Sequence, residues 1–202
     1  MQTRKELKEM AKAALKGNWT QAVLALFIYG AILGVVNAMA QPAGEGEMSA
    51  MNWLFWAVNI VISGPMSFGL AKFFMLLAGK KKFELAMLFD GFKHFSTTFV
   101  AALIMGIKTF LWGLLLIIPG IIAALRYSQT YFVLAENPNM PANEAIETSK
   151  KLMQGHLGEY FVLQLSFLGW GILAGLTIIG IPWYGAYYQT TMANYYQALK
   201  KA

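Results

Sequence analysis

The chain has 202 residues, 57% of them apolar and 13% charged, with a mean hydropathy of +0.50. Soluble domains run near 45–50% apolar and about 25% charged, so the 16 Lys and Arg and 10 Asp and Glu residues cannot supply a polar skin, and the bilayer is the expected solvent. With no cysteine and two histidines, His94 and His156, there is no disulfide framework, thiolate nucleophile, iron–sulfur cluster or Cys-based zinc site, and the +6 net charge has to be placed before it is read as a nucleic-acid signal.

Residues 1–16, MQTRKELKEMAKAALK, space Leu7, Met10, Ala11, Ala14 and Leu15 as one helical face among Arg4, Lys5, Lys8, Lys12 and Lys16, which predicts a basic amphipathic helix on an anionic membrane surface. Gly17 and Asn18 stop it, and Trp19 is placed as an interfacial anchor. Ala22 to Ala40 carries no charge and spans about 28 Å as a helix, close to the hydrocarbon thickness. The basic flank and Ala38-Met39-Ala40 also resemble a signal peptide with its cleavage site, but the apolar run is longer than a usual h-region, and an uncleaved first span is expected.

The loop QPAGEGEMS brings Glu45 and Glu47 and no cation. Met51 to Ala78 is longer than one straight span needs, and Ser63-Gly64-Pro65 predicts a kink in it, centred on Gly64 and Pro65. Lys72, near the basic Lys80-Lys81-Lys82 end, is expected to snorkel. A short amphipathic segment, FELAMLFDGFKHF, precedes an apolar run from about Thr97 to Ile118 that should turn at Pro119-Gly120. The return, IIAALRYSQTYFVLAE, is marginal alone: its large apolar residues contribute about −3 kcal/mol and Arg126 takes back about 3, so it is expected to insert as a hairpin with the run before it. PANEAIETSKKLMQGH has Glu144 and Glu147 early and Lys150 and Lys151 late, which suits a helix. A fifth span follows over roughly 160–178, then a turn at Gly180-Ile181-Pro182 and a Tyr-rich last segment ending at Lys200-Lys201.

With both termini inside and six crossings, thirteen of the sixteen Lys and Arg residues lie in inside segments, and Lys72, Lys108 and Arg126 lie within spans, leaving none outside. The expected fold is all-α: a polytopic membrane protein of six transmembrane helices in three hairpins, each preceded by a cytoplasmic amphipathic helix. Self-comparison supports three parallel units, 3–78, 83–136 and 142–199. Gly120 and Tyr127-Ser128-Gln129-Thr130 recur as Gly180 and Tyr187-Tyr188-Gln189-Thr190, and more loosely FDGFKH resembles LMQGH, and Ala14 to Asn18 resembles Lys151 to His156.

RKELKEMAKAALKGNW, GPMSFGLAKFF, LLLIIPGIIAALRYSQTYFVLAENP, NEAIETSKKLMQGH and LSFLGWGILAGLTIIGIPW together resemble a family of small bacterial multi-pass membrane proteins catalogued as domain of unknown function nine-seven-five. The resemblance covers nearly the whole chain; IIPGII, the AENP turn and SKKLMQGH are its most specific parts. It implies a bacterial inner or plasma membrane and brings no reaction, substrate or catalytic residue with it.

Lys108 is mid-span, where a lysine costs about 2.5–3.5 kcal/mol, so it should face the bundle interior, a wet cavity or a partner. Lys108 and Arg126 are candidates for an anion or lipid-phosphate site. The blander expectation has Lys108 on backbone carbonyls near Trp112 and Arg126 reaching the outer interface. Gly30 and Gly34, and Gly171 and Gly175, form G-x-x-x-G pairs expected to pack helices closely within the chain rather than at a dimer interface. His94 and His156 read as solvated interfacial groups rather than pH sensors or metal ligands. The tyrosines of the last segment, from Tyr184 to Tyr196, could line a polar path but suit an aromatic belt.

No H-E-x-x-H, P-loop or G-x-S-x-G is present, nor a nucleophile and base at matching depth. No enzyme, cofactor or metal site is therefore expected. The expected role is a non-catalytic accessory or scaffold protein of the bacterial cytoplasmic membrane that contacts anionic lipid. The alternative is a small transport or lipid-handling protein with an electropositive intramembrane site. Membrane lipids are the expected partners, nucleic acid is not, and a protein partner or second copy stays open.

Overall fold

The computed structural model describes residues 2–42, 47–177 and 179–201. Ten α-helices and one 3₁₀ segment follow in order: α1 Arg4–Leu15, α2 Trp19–Met39, α3 Ala50–Ala78, the 3₁₀ segment Leu85–His94, α4 Phe95–Leu115, α5 Ile117–Tyr127, α6 Thr130–Glu136, α7 Ala142–Met153, α8 Leu157–Leu165, α9 Leu168–Thr177 and α10 Ile181–Leu199. There is no strand among the described residues. Five stretches, Trp19–Met39, Ala50–Ala78, Leu85–Leu115, Ile117–Glu136 and Leu157–Thr177, are long and apolar enough to cross a membrane. This is the framework of a multi-pass membrane protein. Glu45 lies outside the described residues.

The second arm of each hairpin lies inside the bundle and the first lies outside it. α3 packs against both α6 and α10, and Phe132 of α6 stacks on Tyr196 of α10 with ring centroids 5.5 Å apart. α2 and α4 instead leave most of their length exposed. This explains why α10 is the least apolar of the long helices. From Thr190 to Tyr196 every residue is buried by protein, so hydrogen-bonding side chains are tolerated there that lipid would reject. Thr190 and Thr191 return their hydroxyl protons to the carbonyls of Ala186 and Tyr187 at 2.7 and 2.8 Å.

α3 is one unbroken helix through Pro65, so the Ser63-Gly64-Pro65 step does not interrupt the span. Its use lies in close approach. A Cβ on Gly69 would stand 1.8 Å from the Leu88 carbonyl oxygen, one on Gly91 2.0 Å from the Pro65 carbonyl oxygen, and one on Gly64 2.5 Å from that of Thr98. Three glycines thus let the 3₁₀ segment and the start of α4 lie backbone to backbone on α3. The pairs expected to do this do not among the described residues: no atom of another element comes within 4 Å of a Cβ placed on Gly30, Gly34 or Gly175, and the nearest atoms to one on Gly171 are the Tyr184 ring and hydroxyl.

α1 corrects its expectation too. Rather than laying its apolar face on a membrane surface, it buries Leu7, Ala11, Ala14 and Leu15 against the bundle, packing on α10 and α3. Its capping box, Thr3 with Glu6, fixes the start and holds the exposed Glu6 carboxyl below the usual carboxylate range. α7 buries Ala145, Ile146, Ser149 and Met153 against its neighbours in the same way. Both helices end alike. Lys16 and Gln154 are extended (φ −60°, ψ 117° and φ −66°, ψ 124°), Gly17 and Gly155 are left-handed (φ +84° and +83°), and Asn18 and His156 then open the next helix at φ −119° and −111°.

Two turn residues separate α5 from α6 and α8 from α9, and of these Ser128, Gln129 and Ser166 keep dihedrals in the right-handed helical region. The expected turn at Pro119-Gly120 falls instead on Leu116, the one residue between α4 and α5, with Pro119 and Gly120 in the first turn of α5. Gly120 there comes so close to Gly113 that a Cβ would lie 2.9 Å from the Gly113 Cα.

Gly69→Ala should cost about 2–3 kcal/mol or more, since the blocking atoms are backbone, whereas Gly106→Ala, with open space around it, should be neutral or slightly stabilising by helix propensity. Equilibrium unfolding in mixed micelles of the two variants checks this; equal stabilities would refute the close packing.

Candidate cationic site

α7 lies along α4 and α5, with Ile146 against a small cluster made by Ala123, Tyr127, Ile104 and Met105. That docking carries the polar face of α7 to the hairpin's two cations. A cavity of about 380 Å³ is lined by Arg126, Glu147, Lys150, Lys151, Gln154, Gly155 and Leu157. Lys150 pairs with Glu147 at 2.6 Å and stands 5.9 Å from the Tyr127 ring centroid. The Lys150 ammonium, helped by the charges of Lys108 and Lys151 and opposed by slight desolvation, keeps the exposed Glu147 carboxyl below the usual carboxylate range. Lys108 adds to the positive charge around Glu147 and forms no ion pair among the described residues. Arg126 lines this cavity beside α7. Neither Arg126 nor Lys151 forms an ion pair among the described residues.

The frame under this cavity is a polar knot at the break between α5 and α6. The Ser149 hydroxyl donates to the Arg126 carbonyl at 2.7 Å and accepts the Gln129 backbone N–H at 3.2 Å. It thereby satisfies two groups that a broken helix would leave bare. Gln129 in turn donates to the Ser128 hydroxyl at 2.8 Å.

Lys72, the third cation within an apolar run, does have an acidic partner. Lys72 and Lys93 bond the two oxygens of Asp90, each at 2.7 Å, so Lys72 clamps the 3₁₀ segment to α3 rather than snorkelling alone. Glu136, from the AENP turn, accepts from the Tyr196 hydroxyl at 2.7 Å and from Lys200, which joins the ends of α6 and α10. His94 and His156 each stand at the N-cap position of a helix without a side-chain capping bond, and no cluster of metal-binding side chains occurs among the described residues.

The matches to known families cover this whole arrangement. The chain belongs to the family described as Protein of unknown function (DUF975). Its model matches residues 1–119 and 113–202. No curated protein and no solved structure matches the chain.

Lys150, Lys151, Glu147 and Ser149 are site residues that sequence reasoning placed only on a surface helix. A signal for them did exist. Counting back from Gly17 and Gly155, Glu6 and Glu144, Glu9 and Glu147, and Lys12 and Lys150 coincide. Lys12 sits 5.7 Å from the Tyr187 ring centroid as Lys150 does from Tyr127, and those two tyrosines are the sixty-residue repeat pair.

Ser149→Ala should cost about 1–3 kcal/mol by stranding a buried N–H and a buried carbonyl, while Ser96→Ala, on an exposed position, should cost nothing measurable. Comparing their unfolding midpoints by circular dichroism checks this; a silent Ser149→Ala would mean the break needs no bridge.

Proposed function

We propose that the protein is a non-catalytic accessory or scaffold component of the bacterial cytoplasmic membrane, that both termini are cytoplasmic, and that it holds anionic lipid through the cavity between α5 and α7. The observation that carries the reading is the pairing imbalance there: three cations, one carboxylate, and two cations with no acidic partner among the described residues. Gly155 and Leu157 line the same cavity at the start of α8, where free backbone N–H groups and the helix dipole favour a phosphate oxygen. A lipid phosphate fits better than a soluble metabolite because apolar α4 and α5 surface, exposed at Ile107, Leu111 and Ile122, continues away from the charges. The same reading takes 3–78, 83–136 and 142–199 as three copies of one unit. Each short helix packs on the hairpin of the unit before it: α7 on α4 and α5, the 3₁₀ segment on α3, and α1 on α10 to close the ring.

Arg126→Gln with Lys151→Gln should cut the phosphatidylglycerol or cardiolipin that co-purifies in mild detergent by about tenfold, the equivalent of one charge-assisted hydrogen bond of about 1.5 kcal/mol. Glu147→Gln should raise it. Native mass spectrometry reads both, and unchanged lipid content would sink the site. Sidedness is tested separately, because the chain has no native cysteine. Lys201→Cys and Asn139→Cys should react with an impermeant maleimide from the cytoplasmic side only, and Glu47→Cys from the opposite side only; any other pattern refutes the orientation.

A further inference from the structure

The three hairpins end differently. The first ends in QPAGEGEMS, with polar and acidic groups suited to water. The second reverses within LLLIIPGII and the third within LTIIGIPW, where the Thr177 hydroxyl and the Trp183 indole N–H are the only polar side-chain groups. The Thr177 hydroxyl is already bonded to the carbonyls of Leu173 and Ala174, at 3.3 and 3.1 Å. Leu114 to Ile118 are 67–77% exposed, and Leu176 and Ile179 79% and 76%. Among the described residues these side chains stand largely uncovered, and their aliphatic surface is not suited to water.

Their reach can be bounded. A helix advances 1.5 Å per residue, so Leu116 stands at most about 12 Å beyond Lys108 and about 15 Å beyond Arg126. Arg126 shares a cavity with Glu147, Lys150 and Lys151 of α7, a helix that also exposes Asn143 and Glu144. Such a face belongs in water or among headgroups, not in hydrocarbon. The hydrocarbon is about 30 Å thick, so the second hairpin runs out of length near its middle. Snorkelling adds only a few ångströms to that reach.

The third hairpin is bounded by a landmark instead. Thr177, Gly180 and Trp183 from its tip line one cavity of about 370 Å³ together with Trp19, the first residue of α2. α2 begins three residues after Lys16 and then continues for 21 residues, about 31 Å. The tip of the third hairpin therefore lies beside the beginning of the first crossing, far from its end. Lys12 beside the Tyr187 ring agrees, since Gly180 is at most about 11 Å beyond that tyrosine.

From these bounds we propose that hairpins α4–α5 and α9–α10 are re-entrant: they enter from the lysine-rich face, reverse among the acyl chains of that leaflet, and leave α2–α3 as the one hairpin that crosses. Their turns are built for hydrocarbon. A reversal in lipid must not strand backbone polar groups, and only Leu116 separates α4 from α5, with its N–H on the Trp112 carbonyl and the Gly120 N–H on the Leu116 carbonyl, at 3.2 and 3.3 Å. Pro119 and Pro182 each stand in the first turn of the returning helix, removing one of the donors that a helix start leaves free. The partner of these two surfaces is the acyl-chain interior of a single leaflet, and the assignment does not depend on a bound lipid phosphate.

Single cysteines at Leu116 and Ile179, with Ile117→Cys and Ile181→Cys as second positions should either variant misfold, test the depth in proteoliposomes. The tip cysteines should resist an impermeant maleimide from both faces while Glu47→Cys reacts. Bimane attached at the tips through a permeant reagent should be quenched more by 12-doxyl than by 5-doxyl phosphatidylcholine. Maleimide labelling of the tips from the Glu47 face, or stronger quenching by the 5-doxyl lipid, would overturn the proposal. Retained anionic lipid in either case would leave the lipid site standing on its own.

Discussion

Charge must be kept out of hydrocarbon, and the rest of this molecule is arranged around that requirement. A lone lysine at the centre of a span costs about 2.5–3.5 kcal/mol, and the chain carries three cations within apolar runs. Lys72 is answered from outside its own helix by Asp90 of the 3₁₀ segment, and Arg126 lies along the polar surface of α7, whose Glu147 feels the charge of Lys108. The short helices thus bring counter-charge and water-compatible surface alongside hairpins that could not otherwise hold those residues.

That arrangement depends on very close packing. Counter-charge reaches Lys72 only because the 3₁₀ segment rests directly on α3, where Gly69 and Gly91 admit carbonyl oxygens to distances no side chain would allow. Dispersion between such surfaces is the main attraction left in a medium where lipid tails are as apolar as leucine. Close approach by glycine and fixed placement of Asp90 are one design, since a retreat of one ångström would lengthen a 2.7 Å ion pair into a solvent-separated one.

Much of this was legible in the residues. Hydropathy located both arms of the first hairpin, and the acidic-to-basic order of Glu144, Glu147, Lys150 and Lys151 marked α7 as a helix. Three features were hidden, each for its own reason. Leu116 as the turn was masked by Pro119-Gly120, whose composition signals a turn equally well when it stands at the start of a helix. The use of Gly64 and Gly69 in place of Gly30 and Gly34 was hidden because spacing alone does not say which helix face meets a neighbour. That Arg126 lines a cavity with α7 was hidden because the docking of α7 is a long-range contact. Only the Lys12 and Lys150 correspondence, read with Tyr187 and Tyr127, hinted at it.

The sorting of cations to one side has a limited meaning that the fold makes plain. A hairpin returns its ends to the side it left whether it crosses the membrane or reverses halfway, so lysine placement fixes the parity of crossings and is silent about depth. Depth is reported by the turns. A crossing hairpin must present its turn to water, and the first does so with Gln41, Glu47 and Ser49. A half-depth hairpin must present its turn to acyl chains, which requires apolar side chains and a reversal that spends almost no unpaired backbone, as Leu116 achieves. In the proposed arrangement two hairpins load one leaflet with helix volume that the other leaflet does not receive. Such a shape displaces lipid on the basic face alone, beside the cations best placed to hold anionic headgroups there.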